Sequence, residues 1–564
     1  MATLADFRDE RIKKLEKLRE LGIDPFPAKS SRTIKCGEIN EETFAKLENS
    51  TQTIAGRIVS LRSFGKLAFI VIRDISGEIQ LFLKADNIDG AESEPDPGLK
   101  MAEMLKLLDT GDFVQATGAI AKTQTGEISV IVKKLKMLAK SLRPLPGRDG
   151  FTNKEERLRR RYIDMNVNPE VRERFVRRAK FWQATREFLM QNGFIEINIP
   201  VLEHTTGGAD ANAFKTHMDA LDEDFYLRIS QELPLKRLIG AGFEKVFDIG
   251  PRFRNEGIDD EHLPEHISME SYAAYEDYED GMKLYEAMIK FVAKETWGTL
   301  QFIFAKNEKA EKSLKLIREK WLSDNSDRNF AKLTDYLIEQ IQKEIKFSSY
   351  DGITTLGKDD FEIIDLNQDW PRIKYADIMK DKFDIDVFAE DTEENREKLR
   401  EILRREKREF DPSAKISRLL DNVWKIIRES SAGPFWLIHE PAAISPLAKR
   451  EPTDPRVTQR FHPIILGTEM GNGFSELNDP IDQLARFREQ QKLRDGGDNE
   501  AMMLDIDFVE MLEYGMPPTC GWGNSERNFW LLEGVSAREG VPFPAMRREI
   551  SEVTRKIYSG VKLD

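Results

Sequence analysis

The 564-residue sequence contains only two cysteines, Cys36 and Cys520. They lie far apart and without metal-ligand spacing, which argues against a cysteine-based zinc site and fits a reducing cytosol. The opening MATLADFRDERIKK has no apolar core of the kind a secretory signal carries. No apolar run approaches the length of a membrane span, so a cytoplasmic chain with no membrane partner is expected. An overall excess of positive charge is also missing: 86 basic against 100 acidic residues leave a net charge of −14. A nucleic-acid partner must therefore meet a local basic surface. Residues 133–180 offer one, with 16 lysines and arginines against 6 acidic residues. A solvated linker face explains that run as well as RNA does. What the chain has in quantity is 40% hydrophobic and 33% charged residues, enough to fill large cores in two or three domains and keep them in solution.

Residues 4–21 place Leu4, Phe7, Ile12, Leu15, Leu18 and Leu21 at helical spacing, and Gly22 and Pro25 end the helix. Residues 1–50 thus read as a helical arm. Between 51 and 148 the pattern changes to short alternating runs, at 53–61, 67–74, 79–83, 113–121 and 128–138, punctuated by glycines. Five such strands predict an OB-fold β-barrel, whose groove suits single-stranded nucleic acid. The acidic, proline-bearing stretch 86–97 reads as an exposed loop. Pro144, Pro146 and Gly147 close this domain, and 149–564 form the second. There, 170–192 read as a long helix, 194–199 as a strand, and 303–360 as an insertion of two or three charged helices with one apolar face. Residues 371–430 form a further helical subdomain.

The segment 243–278 stands apart from ordinary surface. Residues 246–249 read as a buried strand, 255–265 as a polar loop with Gly257 and Pro264, and 267–272 as a returning strand. Arg252 and Arg254 flank Phe253, so on an extended chain both arginines leave the same face. An arginine fork on a rigid hairpin suits phosphate oxygens, which it holds bidentately.

The string RFRNEGID at 252–259, followed by MESYAAYEDY at 269–278, resembles motif 2 of the class II aminoacyl-tRNA synthetases, and within that class the lysyl-tRNA synthetases. GNGFSELND at 471–479 has the same likeness, helix 170–192 with its strand resembles motif 1, and GMPPTCGWGNSER at 515–527 resembles motif 3. Nearly the whole chain is covered, the insertion excepted. The resemblance implies an α+β architecture: a five-stranded OB-fold barrel that reads an anticodon, and a catalytic domain built on an antiparallel sheet flanked by helices. It implies a lysine–tRNA ligase, a homodimer whose partners are tRNA(Lys), ATP and L-lysine and whose cofactor is Mg2+. It also assigns residues. Arg254 would meet the α-phosphate and Arg527 the γ-phosphate, with Glu256, His262 and His266 completing the nucleotide site. Glu469 would hold the metal, with His462 as a weaker second candidate. Lysine would be held by Gly208, Glu232, Glu270, Tyr272, Asn472, Phe474 and Glu476, with Glu476 favoured at the ε-amine. Arg62, Phe69, Gln80 and Glu127 match anticodon contacts.

The implied chemistry needs no serine, cysteine or histidine nucleophile. The substrate's own α-carboxylate, with a pKa of about 3.5, is already ionised at neutral pH. Rate must come from alignment and from charge neutralisation on phosphate. The ammonium of lysine, by contrast, cannot be buried unpaired, so acids must meet it.

Some positions depart from the family pattern. His266 stands where relatives stack a phenylalanine on adenine, and His462 where they carry a second metal-binding glutamate. Asn212-Ala213 replaces Arg-Pro, and motif 3 is one residue short, with Trp522 and Asn524 at glycine positions and glycines at 521 and 523. A locally remodelled nucleotide floor is therefore expected. Competing readings are a lysine ligase acting on a protein, an aspartyl or asparaginyl specificity, and a catalytically silent RNA-binding paralogue.

Overall fold

The computed structural model describes residues 3–84, 101–147, 150–324, 329–342, 345–349, 352–356, 358–497 and 500–562. The chain divides into two compact units, Met1–Pro169 with Met546–Asp564, and Glu170–Ala545. The first therefore extends past the proline-rich boundary expected at 148. Arg73 reaches the Asn166 carbonyl at 3.2 Å, and Arg159 pairs with Glu549 at 3.3 Å, which ties the linker helices and the C-terminal segment to the barrel. The expected loop at 86–97 lies outside the described residues.

In the first unit the helix Leu4–Glu20 opens with a capping box on Thr3 and Asp6, which satisfies its first backbone donors. Leu15 and Leu18 are buried, while Phe7 is left half exposed; a buried Arg11 takes its place in the contact, donating to the carbonyls of Thr110 and Ser141 at 3.0 Å. Five described strands, Thr51–Phe64, Leu67–Arg73, Glu78–Lys84, Phe113–Lys122 and Ile128–Ala139, close into a barrel in the order first, second, third, fifth, fourth. Ala68, Ile70, Ile72, Ile79, Leu81 and Leu83 alternate inward and are fully or almost fully buried. That alternation leaves Phe69, Gln80 and Phe82 on the outer face.

The second unit is organised on a sheet of nine described strands. Its order is Arg372–Lys374, Phe435–Ile438, Arg460–Ile465, Gly471–Ser475, Thr519–Ser525, Glu265–Ala274, Lys245–Phe253 and Ile195–Glu196, with Thr468–Glu469 folding back on Arg460–Ile465. The pairings are antiparallel except at the two ends, where Arg372–Lys374 and Ile195–Glu196 run parallel to their neighbours. The strand expected at 194–199 shrinks to Ile195–Glu196, since only this stretch reaches the neighbouring strand in register. Helices Pro169–Gln191 and Tyr278–Trp297 cover one face, burying Phe181, Phe188, Leu189, Tyr285, Met288 and Ile289. The insertion contains two helices, Glu308–Asp324 and Phe330–Gln342, and also strands that the sequence reading missed. Gln301–Ala305 pairs with Phe361–Asp365, and Ile345–Ser349 with Gly352–Leu356. The helices Tyr375–Phe383, Glu393–Arg405 and Ile416–Glu429 share their own core around Leu403, Leu419 and Trp424. No described helix is long and apolar enough to cross a membrane.

Candidate active site

The open face of the sheet carries a cavity of about 800 Å³. Its floor is set by register. Glu270 lies opposite Gly523 and Tyr272 opposite Gly521, so the two glycines share the face from which Glu270 and Tyr272 rise. A Cβ on Gly521 would fall 2.3 Å from the Tyr272 ring, so this position must stay bare. Trp522 turns the other way and packs edge-on against Tyr285 in the core. The alternation of the strand thus delivers glycine to the cavity from the odd-numbered positions, while Trp522 and Asn524 also border it.

At one end of the cavity three glutamates meet. Glu232 starts the helix Glu232–Gly240, Glu270 stands on the return strand of the hairpin, and Glu476 follows the strand Gly471–Ser475. They are 6%, 6% and 1% exposed. Glu270 is fully engaged: Oε1 accepts from Ser230 Oγ and Arg252 at 2.8 Å, and Oε2 from the Tyr272 hydroxyl at 3.1 Å. Glu476 is not, since its buried Oε1 has no hydrogen-bond donor. Burial, and after it the like charge of Glu232, holds the Glu476 carboxyl well above the usual carboxylate range, and burial likewise raises Glu232. Burial also pushes the Tyr272 phenol well up, so it stays a donor to Glu270. Phe474 is buried beside them, and Asn472 Oδ1 accepts from Arg460 Nε at 2.9 Å. Gly208 closes this end with φ +82°, and a Cβ there would lie 2.7 Å from the Cβ of Glu232 and from Ser230 Oγ. Gly208→Ala is expected to cost about 1–3 kcal/mol in thermal unfolding experiments through left-handed strain, and to displace Glu232.

At the other end the side chains are mostly basic. Arg252 and Arg254 were expected to form one fork; the structure separates them. Arg252 is spent on Glu270 and on Ser268 Oγ at 2.5 Å. Arg254 has no carboxylate within ion-pair distance among the described residues, and its buried Nε has no acceptor. Burial, reinforced by the charge of Arg252, pulls its guanidinium down to about 10, so it stays charged at neutral pH. Arg527 begins the helix Arg527–Glu533, and burial lowers it as well. Its guanidinium lies 3.1 Å from His262 Nε2, whose ring partner Nδ1 faces Asp259 at 2.9 Å. His266, opposite Arg252 in the hairpin, is driven well below its ordinary value by burial and by both hairpin arginines, so its ring is neutral. Glu256 lines the cavity from the exposed hairpin loop.

Glu469 projects into the same end. Its Oε1 accepts from Trp424 Nε1 at 2.9 Å, and Arg428 lies at 3.8 Å. Burial opposes its ionisation, but the charges of His462 and Arg428 outweigh it and the carboxyl is lowered. His462 is enclosed: Nδ1 is 3.2 Å from the Gly471 carbonyl and Nε2 is 3.4 Å from Glu440 Oε1. Among the described residues no group of three His, Cys, Asp or Glu is placed to hold a metal ion. Sequence reasoning missed Glu440 and Arg460, which pair at 2.9 Å behind this wall, and Lys236, which lies between Glu232 and Glu476.

On the barrel, Arg62 lies opposite Phe69 in the first pair of strands, and Phe69 contacts Phe82 at 5.1 Å between ring centroids. Gln80 donates to Ser129 Oγ at 2.9 Å on the same outer face, and Glu127 is exposed at the start of the fifth strand.

The sequence pattern of the family described as "tRNA synthetases class II (D, K and N)" matches residues 153–547, and that of "OB-fold nucleic acid binding domain" matches 52–138. A protein of Thermotoga maritima named lysine–tRNA ligase is 38% identical over 99% of both chains. Proteins of the same name from Fervidobacterium nodosum and Enterococcus faecalis are 38% and 36% identical, over 97% of this chain and 95% and 99% of theirs.

Proposed function

This chain belongs to the class II tRNA synthetases, and from that membership we propose that it is a lysine–tRNA ligase in which buried glutamates select lysine and Arg254 aligns ATP. The observation that carries the specificity is the donor-less, buried Oε1 of Glu476 at the end of a pocket with two more carboxylates. An ammonium supplies what that atom lacks. An acidic substrate would be repelled by the same three glutamates, which disfavours the aspartyl reading, and the neutral amide of asparagine brings no charge to balance them. A protein-directed lysine ligase has no need of the barrel, which this chain contains.

In the first step the lysine carboxylate attacks the α-phosphorus of ATP, an oxygen–phosphorus bond forms, and pyrophosphate leaves. In the second, a ribose hydroxyl at the 3′ end of tRNA attacks the carbonyl carbon of the adenylate and AMP leaves. Arg254 holds the α-phosphate and the incoming carboxylate together and neutralises charge that builds between them. Arg527, backed by His262, takes the γ-phosphate. Neutral His266 stacks on adenine without competing for the phosphates. Glu270, saturated by Arg252 and Tyr272, acts as the fixed wall against which Glu232 and Glu476 receive the two ammonium groups.

The residues fit magnesium only as an ion carried in with the nucleotide. One carboxylate plus substrate phosphates is an ordinary Mg2+ environment, and Glu469 supplies that carboxylate. The buried Nε2 of His462 has no hydrogen-bond partner, and an imidazole suits softer divalent ions better than Mg2+, so Glu469 is the group that fits this ion. The ion, when bound, would offset phosphate charge.

Helix Pro169–Gln191 and strand Ile195–Glu196 leave Val176, Met190 and Ile195 more than half exposed, which supports a homodimer through this edge. The outer face of the barrel supports anticodon reading by Arg62, Phe69, Gln80 and Glu127. Loss of one base stack costs about 1–3 kcal/mol, so Phe69→Ala is expected to raise the KM for tRNA about tenfold and leave tRNA-independent exchange unchanged. The test of the whole reading is ATP–pyrophosphate exchange with Mg2+ across the twenty amino acids without tRNA. Lysine alone is expected to support exchange; exchange with another amino acid in its place overturns the assignment.

A further inference from the structure

Lys236 is completely buried, and its Nζ lies 2.5 Å from Glu232 Oε1 and in direct contact with Glu476 Oε2. It stands one turn after Glu232 on the same helix, so the helix itself aims both side chains at one point. Nζ also lies 5.2 Å from the centre of the Phe474 ring. One lysine ammonium thus already sits behind the glutamates of this pocket.

We propose that Lys236 is a specificity-determining positioning residue, which ties Glu232 to Glu476 and cancels one of the three pocket charges so that a ligand with one net positive charge completes the balance. The inference rests on the lysine reading of this pocket. In the lysine-bound pocket, where the ligand's ammonium favours the ionised form of Glu476, Glu232, Glu270 and Glu476 bring three negative charges. Arg252 is committed to Glu270 at 2.8 Å and Lys236 to the other two, which leaves one negative charge over. Arg460, which also lines the cavity, is engaged by Glu440 at 2.9 Å and does not alter the count. Free lysine carries two ammonium groups and one carboxylate, a net single positive charge. An amino acid with a neutral side chain brings none, and leaves Glu476 Oε1 without a donor. Lys236 further restrains Glu476: with Oε2 held, Oε1 is the atom presented to the cavity over bare Gly521, whose added Cβ would fall on it.

A purely structural role makes a different forecast. A buried ion pair is often replaceable by apolar residues without loss of stability, and a variant hurt only in its fold would lose melting temperature and keep its affinity for lysine. The proposal expects Lys236→Met to raise the KM for lysine about 30-fold or more, the usual penalty for stripping one partner from a buried charged group. The KM for ATP should stay within about twofold, and Lys236→Arg, which restores the charge, should recover most of the loss. Should Lys236→Met not fold, a second comparison decides. In Glu232→Gln with Lys236→Met no charge of that helix pair is left unpaired, yet Glu476 loses its restraint. Its KM for lysine should exceed that of Glu232→Gln alone by about tenfold, within the usual range of coupling between touching residues. Equal KM values in those two variants, or an unchanged lysine KM in Lys236→Met, overturn the inference. Wild-type exchange with an amino acid other than lysine overturns the lysine reading instead, and is measured before any variant.

Discussion

Replacing Arg254 with alanine is expected to lower lysine-dependent ATP–pyrophosphate exchange by about a thousandfold or more, the scale seen when an arginine is taken from developing phosphate charge. The fold should survive. Three buried or partly buried arginines near the hairpin are paired: Arg252 with Glu270, Arg228 with Asp248 at 2.9 Å, Arg460 with Glu440. Arg254 is held against its own burial and beside the like charge of Arg252, with no acceptor for its Nε. A cation kept in that condition is compensated only when an anion arrives. Alanine removes the repulsion along with the function, so the melting temperature of the ligand-free protein should stay level or rise. Arg252→Ala gives the contrasting outcome, because it strips Glu270 of its counter-charge and should destabilise the protein itself. A drop in melting temperature for Arg254→Ala, with exchange retained in the folded fraction, would show that Arg254 is a structural cation and place the phosphate contact elsewhere.

The contrast between these two arginines also marks where the sequence stops being legible. Strand alternation puts Arg252 and Arg254 on one face, and they are on one face. It cannot say that Ser268 and Glu270, on the partner strand, claim the first and not the second, because that depends on the cross-strand register. The barrel strands were readable to within two or three residues, since one inward face of Ile and Leu imposes a period of two that loops do not have. The insertion was harder: its helices show a 3.6-residue rhythm, but the short strands at 345–349 and 352–356 carry too few apolar positions to establish any period. Glu232, Glu270 and Glu476 were found by motif, and the structure brings all three into one pocket. Lys236 escaped because a lysine one turn from a glutamate reads as a solvent-facing helix pair. The signal that could have exposed it is Leu233, Leu235 and Ile239 around it, which mark the helix as buried on nearly every side. The two-glycine face of 519–525 was equally invisible, since counting back from Arg527 aligns the residues and alternation decides which of them look into the cavity.

Glu476→Gln is expected to raise the KM for lysine about a hundredfold, on the scale of 2–5 kcal/mol for removing one side of a buried charge pair, and to remove a pH dependence that the wild type shows. Burial and the neighbouring Glu232 hold the Glu476 carboxyl well above the ordinary carboxylate pKa of about 4.3. The groups facing it are Lys236 and Glu232 from the helix and Glu270 and Tyr272 from the hairpin, so the pocket titrates as a unit and its apparent value belongs to the cluster. The empty pocket therefore keeps a proton that the unfolded chain gives up. That proton's contribution to stability is fully present below about pH 4.3 and is lost as pH rises through the raised folded value, because there the native state binds more protons than the unfolded one. Lysine reverses this slope by bringing an ammonium that favours the ionised carboxylate, and binding expels the proton. The lysine-induced rise in melting temperature should accordingly grow with pH across that window. As pH falls below the raised folded value, kcat/KM for lysine should drop by about tenfold per pH unit, the slope of one proton that must leave before lysine binds. Glutamine at 476 cannot titrate, so both dependences should flatten while the KM for ATP stays where it was. If the acidic limb persists unchanged in Glu476→Gln, the proton belongs to Glu232, and it is Glu232 that meets the ε-ammonium.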